Sequence, residues 1–252
     1  MPQLQWSEST PTEKEMADLK RECETESQFD PLNLKLAGWK DYHSGKFKLK
    51  CSESSLAKVI CIVPPHVSPP LEDWGRIFQW LGAAAQGKWK VYWIGSAAKR
   101  EFPGRGAPMG ASHVNGGYTM PCSTEGVFIY RIEEATRVLI HELLHAACLD
   151  PAGASLPIRE ATVEAWAELF LVAHRAGGDL GRASNLWAKQ AHWISDTNHK
   201  AKTYNNVRGE GDYAWRYLNG RAGVFKELGV DLPKPRGLPE KSSSRFTHPA
   251  LD

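Results

Sequence analysis

Apolar residues follow two rhythms along this chain, short runs in the first half and helical spacing in the second. Apolar runs at 47–49, 56–63, 74–85 and 89–94 are separated by turn residues such as Pro64-Pro65, which predicts strand, strand, helix, strand. Glycine and proline crowd 96–121. That stretch is expected to be a long loop, with 113–119 as an irregular edge strand. A further short strand is expected at 127–130. After Glu133-Glu134, apolar residues fall on nearly every side through Cys148, the pattern of a buried helix. Asp150-Pro151-Ala152-Gly153 stops it. A second helix is expected from near Pro157 to Gly177-Gly178, with proline inside its start and glycine past its end. Third and fourth helices are expected over 180–194 and from 213–218 towards Leu228.

This order predicts an α+β architecture: a small N-terminal lobe with a mixed sheet and a buried helix, about 31–150, then a mainly helical lobe, about 151–230. Residues 1–30 are polar and charged, with at most a short helix around 13–22, and are expected to form a loosely attached arm. Residues 231–252, with Pro233, Pro235, Pro239 and Ser242, Ser243 and Ser244, are expected to be a mobile tail.

Composition narrows the partners. A formal net charge of +2 on 252 residues is too small to advertise a polyanion, so nucleic acid is not expected. The first residues lack a basic segment followed by an apolar one, and no apolar run approaches the roughly 18 to 20 residues that cross a bilayer. A soluble, intracellular protein with no membrane partner is expected. The five cysteines are odd in number and contain no C-x-x-C pair, which predicts free thiols in a reducing compartment.

The chemistry is carried by His141-Glu142-Leu143-Leu144-His145. Two histidines four residues apart on a helix project from one face and can grip one cation, a spacing typical of zinc sites. Flanking Val138-Leu139-Ile140 and Ala146-Ala147-Cys148 bury the motif, where unsatisfied polar groups would be costly. A hydrolytic zinc needs three protein ligands and a fourth position for water. Glu160, Glu164 and Glu168 recur every four residues on the second helix and form one acidic stripe. Eighteen residues separate His145 from Glu164, enough to finish one helix and lay the next beside it. Glu164 is the central candidate for third ligand; Glu160 and Glu168 are alternatives or supports for the ligand imidazoles.

These residues resemble the gluzincins, the clan that includes thermolysin and the zinc aminopeptidases. In the aminopeptidases a ligand Glu follows the zinc motif after eighteen residues, in a segment like Asn-Glu-Gly-Phe-Ala; here Val163-Glu164-Ala165-Trp166-Ala167 stands there. Val163 replaces the Asn, and no Gly-Ala-Met-Glu-Asn segment occurs, so aminopeptidase specificity does not carry over. A looser likeness is to uncharacterised metallopeptidase-like proteins of large DNA viruses, in the order Asn115-Gly116-Gly117, Arg131-Ile132-Glu133-Glu134, His141. It implies that 114–118 forms the upper wall of a cleft, where an extended substrate pairs as an added strand.

The resemblance implies a zincin-like fold, Zn2+ as cofactor, a peptide or protein substrate, metal ligands His141, His145 and Glu164, and Glu142 as general base. It also implies a Tyr or His from the C-terminal lobe as proton donor or oxyanion stabiliser. Tyr213 and Tyr217 are favoured among Tyr204, His192 and His199. The alternative is a catalytically inactive, zinc-stabilised structural or interaction protein. Elsewhere, Lys200, Lys202 and Arg208 with Tyr204 form a small basic and aromatic cluster that reads first as a solvated loop.

Overall fold

The computed structural model describes residues 3–82, 87–237 and 243–251; Ala83 to Ala85 of the third predicted run, and Pro239 and Ser242 of the predicted tail, lie outside them. In chain order the elements are β1 Ser7–Glu8, α1 Glu13–Glu24, α2 Leu34–His43, β2 Lys48–Glu53, β3 Ala57–Val63, α3 Leu71–Leu81 and β4 Trp89–Ile94. They continue with α4 Ala111–Val114, β5 Gly117–Thr119, β6 Val127–Ile129, α5 Ala135–Ala146, α6 Leu156–Ala176, α7 Leu180–Tyr204 and α8 Arg221–Glu227. The class is α+β. The chain divides into two compact units, the first Met1–Ala98 with Asn115–Cys148, the second Lys99–Val114 with Leu149–Asp252. The loop predicted at 96–121 is thus shared between both units.

In the first unit a six-stranded open sheet runs in the order β1-β2-β3-β4-β6-β5. β3, β4 and β6 are parallel, while β1, β2 and β5 pair antiparallel to their neighbours. Every residue of β3 is buried, as expected of a strand with both faces covered. On one face Ile60, Ile62, Tyr92 and Ile94 meet Leu19 and Cys23 of α1 and Leu34 and Trp39 of α2. On the other, Trp93 packs 5.5 Å from Trp74 of α3, whose indole N–H donates to Thr136 of α5 (3.1 Å).

Two expectations change here. The predicted arm carries β1 and α1, and α1 is fixed rather than loose: Thr12 and Glu15 form a capping box, and Leu19 and Cys23, four apart, enter the core. Its apolar stripe is narrow, so composition outweighed it. α2 was not anticipated, because Gly38 breaks its apolar run; a Cβ there would collide with Ile94, and the glycine lets the helix lie against the sheet.

The second unit is helical. α6 starts with Pro157 in its first turn and stops at Gly177 in the left-handed region (φ 64), as the sequence predicts. The predicted fourth helix is a 3-10 turn Tyr213–Trp215, a π-helical turn Arg216–Gly220, then α8. Within the expected tail, Phe246, Thr247 and Leu251 are buried in this unit. Their aromatic and aliphatic groups outweigh the surrounding Pro, Ser and Lys.

Candidate metal centre

α5 is buried along its whole length, which places His141, Glu142 and His145 in an interior where each must be satisfied. Four residues make just over one turn, so the two imidazoles leave the same face. Their Nε2 atoms stand 3.2 Å apart, with ring centroids 4.9 Å apart and planes at 70°. Two imidazole nitrogens on one zinc, each at about 2.0 to 2.1 Å and subtending about a tetrahedral angle, stand about 3.3 Å apart. The pair fits a shared zinc.

Several contacts fix α5. Glu134 precedes it in the left-handed region (φ 59), and its carbonyl accepts the Val138 N–H (2.9 Å). Just upstream the buried Arg131 donates through Nε to the Asn115 carbonyl and through Nη1 to that of Ala98, both at 2.9 Å. Asn115 donates through Nδ2 to the Phe29 carbonyl (3.2 Å). The Asn115 and Arg131 positions that carried the viral likeness therefore brace the segment leading into β5.

β5 is the edge strand of the sheet and packs against α5. A Cβ on Gly117 would lie 2.6 Å from the Phe128 carbonyl and from Val138 Cγ1, and 3.4 Å from Glu142 Cγ. Glycine is required because the strand passes this close to the helix. Its neighbour Tyr118 has its hydroxyl bonded to Glu22 and accepts from Lys35 (2.7 Å). Burial, then the Glu22 carboxylate, raise its pKa far above the ordinary phenol value.

At the far end of α5, Cys122 and Cys148 form a disulfide. The expectation of five free thiols holds only for Cys23, Cys51 and Cys61. The partners were hidden because it is the β5–β6 connection, where the Cys122 N–H donates to the His145 carbonyl (3.0 Å), that brings them together. Such bonds persist in oxidising surroundings, so these two cysteines do not support a reducing compartment. No helix among the described residues is long and apolar enough to cross a membrane.

The acidic stripe belongs to the second unit. Glu160 is half-buried, while Glu164 and Glu168 are shut away from solvent. Glu168 Oε1 lies 2.5 Å from Arg221 Nη1, and Glu168 Oε2 accepts from Gln190 Nε2 (2.5 Å). Glu164 Oε1 lies 3.7 Å from the same guanidinium. Sequence reading missed Arg221, which stands between Arg216 and Lys226 and is not distinguished from them by any pattern. Gly220 before it admits Trp215 and Ala161, where a Cβ would stand 2.8 and 3.0 Å from them.

Tyr213 and Tyr217 are neighbours, ring centroids 5.9 Å apart, and Tyr217 also stacks on Phe246. Burial first, then the Glu160 charge, hold the Tyr217 hydroxyl well above its ordinary pKa. Tyr217 is therefore protonated throughout the neutral range and sits in the field of Glu160. The weaker candidates divide: His199 is exposed, His192 half-buried, and Tyr204 closes α7 under Arg105. No protein-family model, no curated protein and no solved structure matches the chain.

Proposed function

We propose that this chain is a zinc-dependent metallopeptidase of the gluzincin kind with a zincin-like arrangement, in which His141, His145 and a carboxylate of α6 hold the metal. The 3.2 Å separation of the two Nε2 atoms is the observation that carries the reading. Glu164 is the third ligand that the motif spacing favours, and the half-buried Glu160, one turn before it on α6, is the alternative. We take Glu160, since Glu164 already neighbours a buried guanidinium.

Bound zinc supplies Lewis acidity, polarising a carbonyl and making water acidic near neutral pH. Glu142, one residue after the first histidine, takes the proton of the attacking water and delivers it to the leaving amine. β5 offers an open edge beside Glu142, to which an extended peptide pairs through its main chain. Tyr217, kept protonated, donates a hydrogen bond to the developing oxyanion, with Tyr213 beside it as the other candidate.

The test is elemental analysis of tag-free protein together with digestion of an unbiased peptide library. One zinc per chain and library cleavage are expected for the wild type; Glu142→Gln should keep the metal and lose cleavage, and His145→Ala should lose both. Metal retained with undiminished cleavage in Glu142→Gln overturns the base assignment. Zinc bound with no cleavage by the wild type would instead support a zinc-stabilised structural protein.

A further inference from the structure

We infer that the Cys122–Cys148 disulfide is a thiol-exchange site, opened by a small thiol such as glutathione, and that its opening loosens the end of α5 that carries His145. Both of its cysteines are exposed to solvent, whereas the three free ones, Cys23, Cys51 and Cys61, are buried. Burial pushes the pKa of the Cys23 thiol up to about 12 and raises those of Cys51 and Cys61 as well. Buried, protonated thiols are poor nucleophiles and do not trade places with the bonded pair. An exposed disulfide, by contrast, is the kind that an outside thiolate reaches.

At both ends of the bond the backbone is held where a Cβ is disfavoured. Cys122 has φ 61 and Cys148 φ 58, both in the left-handed region. Cys148 follows Ala147, the C-cap of α5, at a place where glycine is the usual left-handed residue. Cys122 lies in the β5–β6 connection. Residues in such conformations persist because their surroundings fix them, and the cross-link is part of that hold on each. Cutting it lets both return to negative φ.

The hold extends to His145. Its carbonyl accepts the N–H of Cys122 and that of Cys148, each at 3.0 Å. The second of these bonds is local to the helix end, but the first crosses from the β5–β6 connection and is tethered by the disulfide next to it. With the sulfurs parted, the Cys122 N–H moves off the carbonyl and the last turn of α5 opens more readily. β5 packs on α5 and leads into Cys122, so the strand edge and the histidine-bearing helix loosen together. That zinc is the ion whose grip changes rests on the proposed function; the exchange chemistry does not.

The exchange takes two steps. A glutathione thiolate attacks one cysteine sulfur, the S–S bond breaks, and the other sulfur leaves with the electron pair and takes up a proton. A second glutathione attacks the glutathione sulfur of the mixed disulfide and releases the remaining cysteine as a thiol. Two glutathione molecules are oxidised to their own disulfide, and the protein gains two thiols.

The full chain, folded in native buffer, is equilibrated with reduced and oxidised glutathione in varied ratio; free thiols are then trapped by alkylation and located by mass spectrometry. Cys122 and Cys148 should be labelled at the reducing end and protected again on reoxidation, with Cys23, Cys51 and Cys61 unlabelled throughout. Amide exchange over 143–148 should quicken by about tenfold on reduction. In protein carrying zinc, release to a chelator should quicken by about tenfold too. Cys122→Ser with Cys148→Ser should match the reduced wild type and ignore glutathione. A bond that glutathione opens only when the chain unfolds, or amide exchange alike in both states, overturns the inference. Faster amide exchange with unchanged zinc release overturns the hold on the metal. Labelling and amide exchange as expected in protein that binds no zinc would support the exchange site and count against the proposed function alone.

Discussion

Arg221 Nη1 stands 2.5 Å from Glu168 Oε1, and neither side chain reaches solvent. The same guanidinium lies 3.7 Å from Glu164 and packs 5.3 Å from the Phe246 ring centroid, so one cation stands beside two carboxylates of α6. Removing it strands buried charge, which typically costs about 3 to 5 kcal/mol. Arg221→Met is expected to lower the unfolding free energy by that amount in denaturant titration. A loss under about 1 kcal/mol would show that α6 is held by its apolar face instead.

The Glu15 and Lys58 pair gives the first unit a pH signature. Burial pushes the Glu15 carboxyl up, but the Lys58 ammonium at 2.7 Å and the Thr12 N–H at 2.8 Å together bring it below the ordinary value of 4.5. A carboxyl depressed in the folded state contributes stability above its unfolded pKa, and that stability is lost as pH falls through the folded pKa. Lys58 has the opposite sign: burial lowers its pKa, Glu15 raises it further, and the net rise above 10.5 contributes stability that is lost only as pH climbs past it. Glu15→Gln should lower the unfolding temperature near neutrality and flatten its fall below about pH 4.5. Parallel acid limbs for the two proteins would count against the pair.

Gly117 gives a test of how closely β5 lies on α5. A methyl group there meets backbone at 2.6 Å from the Phe128 carbonyl, which cannot move without breaking the β5–β6 pairing. Gly117→Ala should cost about 1 to 3 kcal/mol and displace the strand from Glu142. Amide exchange over β5 should quicken. Unchanged exchange and stability would place the strand farther from the helix.

What the sequence disclosed follows from periodicity. β4 is legible at Trp89–Ile94 because a short run apolar at all but Lys90 has few other uses, and the facing of His141 and His145 because a four-residue repeat on a helix is itself geometry. α7 extends ten residues past its expected end at Ile194, because Ser195, Asp196, Thr197 and Asn198 look like a stop. They are buried instead: Ser195 Oγ donates to the Pro233 carbonyl (2.5 Å), and Asp196 accepts the Gly237 N–H (2.8 Å). Long-range partners leave no periodic trace, which is why the Cys122–Cys148 bond and Arg221 were silent. Three glutamates at equal spacing look alike by period, and only the eighteen-residue distance from His145 singles out Glu164.

The Cys122–Cys148 bond joins residues 26 apart and ends three residues after His145. Closing a loop of that length restrains the unfolded chain by about 3 to 4 kcal/mol. Cys148→Ser should lower unfolding stability by about that amount. Because the Cys122 N–H also donates to the His145 carbonyl, the end of α5 should loosen and zinc should be released faster to a chelator. A stability loss without faster release would confine the bond's effect to the loop.

Glu160 and Glu164 make different predictions for the metal because their surroundings differ. Glu164 is fully buried with a guanidinium nearby, so Glu164→Ala removes part of the balance around Arg221 and should lower unfolding stability by about 2 kcal/mol or more. Glu160 is half-buried in the field of the protonated Tyr217 hydroxyl, and losing it should do little to the apoprotein. If Glu160 is the third donor, Glu160→Ala should weaken zinc retention by about tenfold or more while Glu164→Ala keeps the metal. Competition with a zinc chelator on both variants, beside their apoprotein unfolding curves, separates ligand loss from destabilisation. Retention by Glu160→Ala and loss by Glu164→Ala, with the apoprotein of the latter intact, would move the ligand one turn along α6 and leave Glu160 as the group that orients Tyr217.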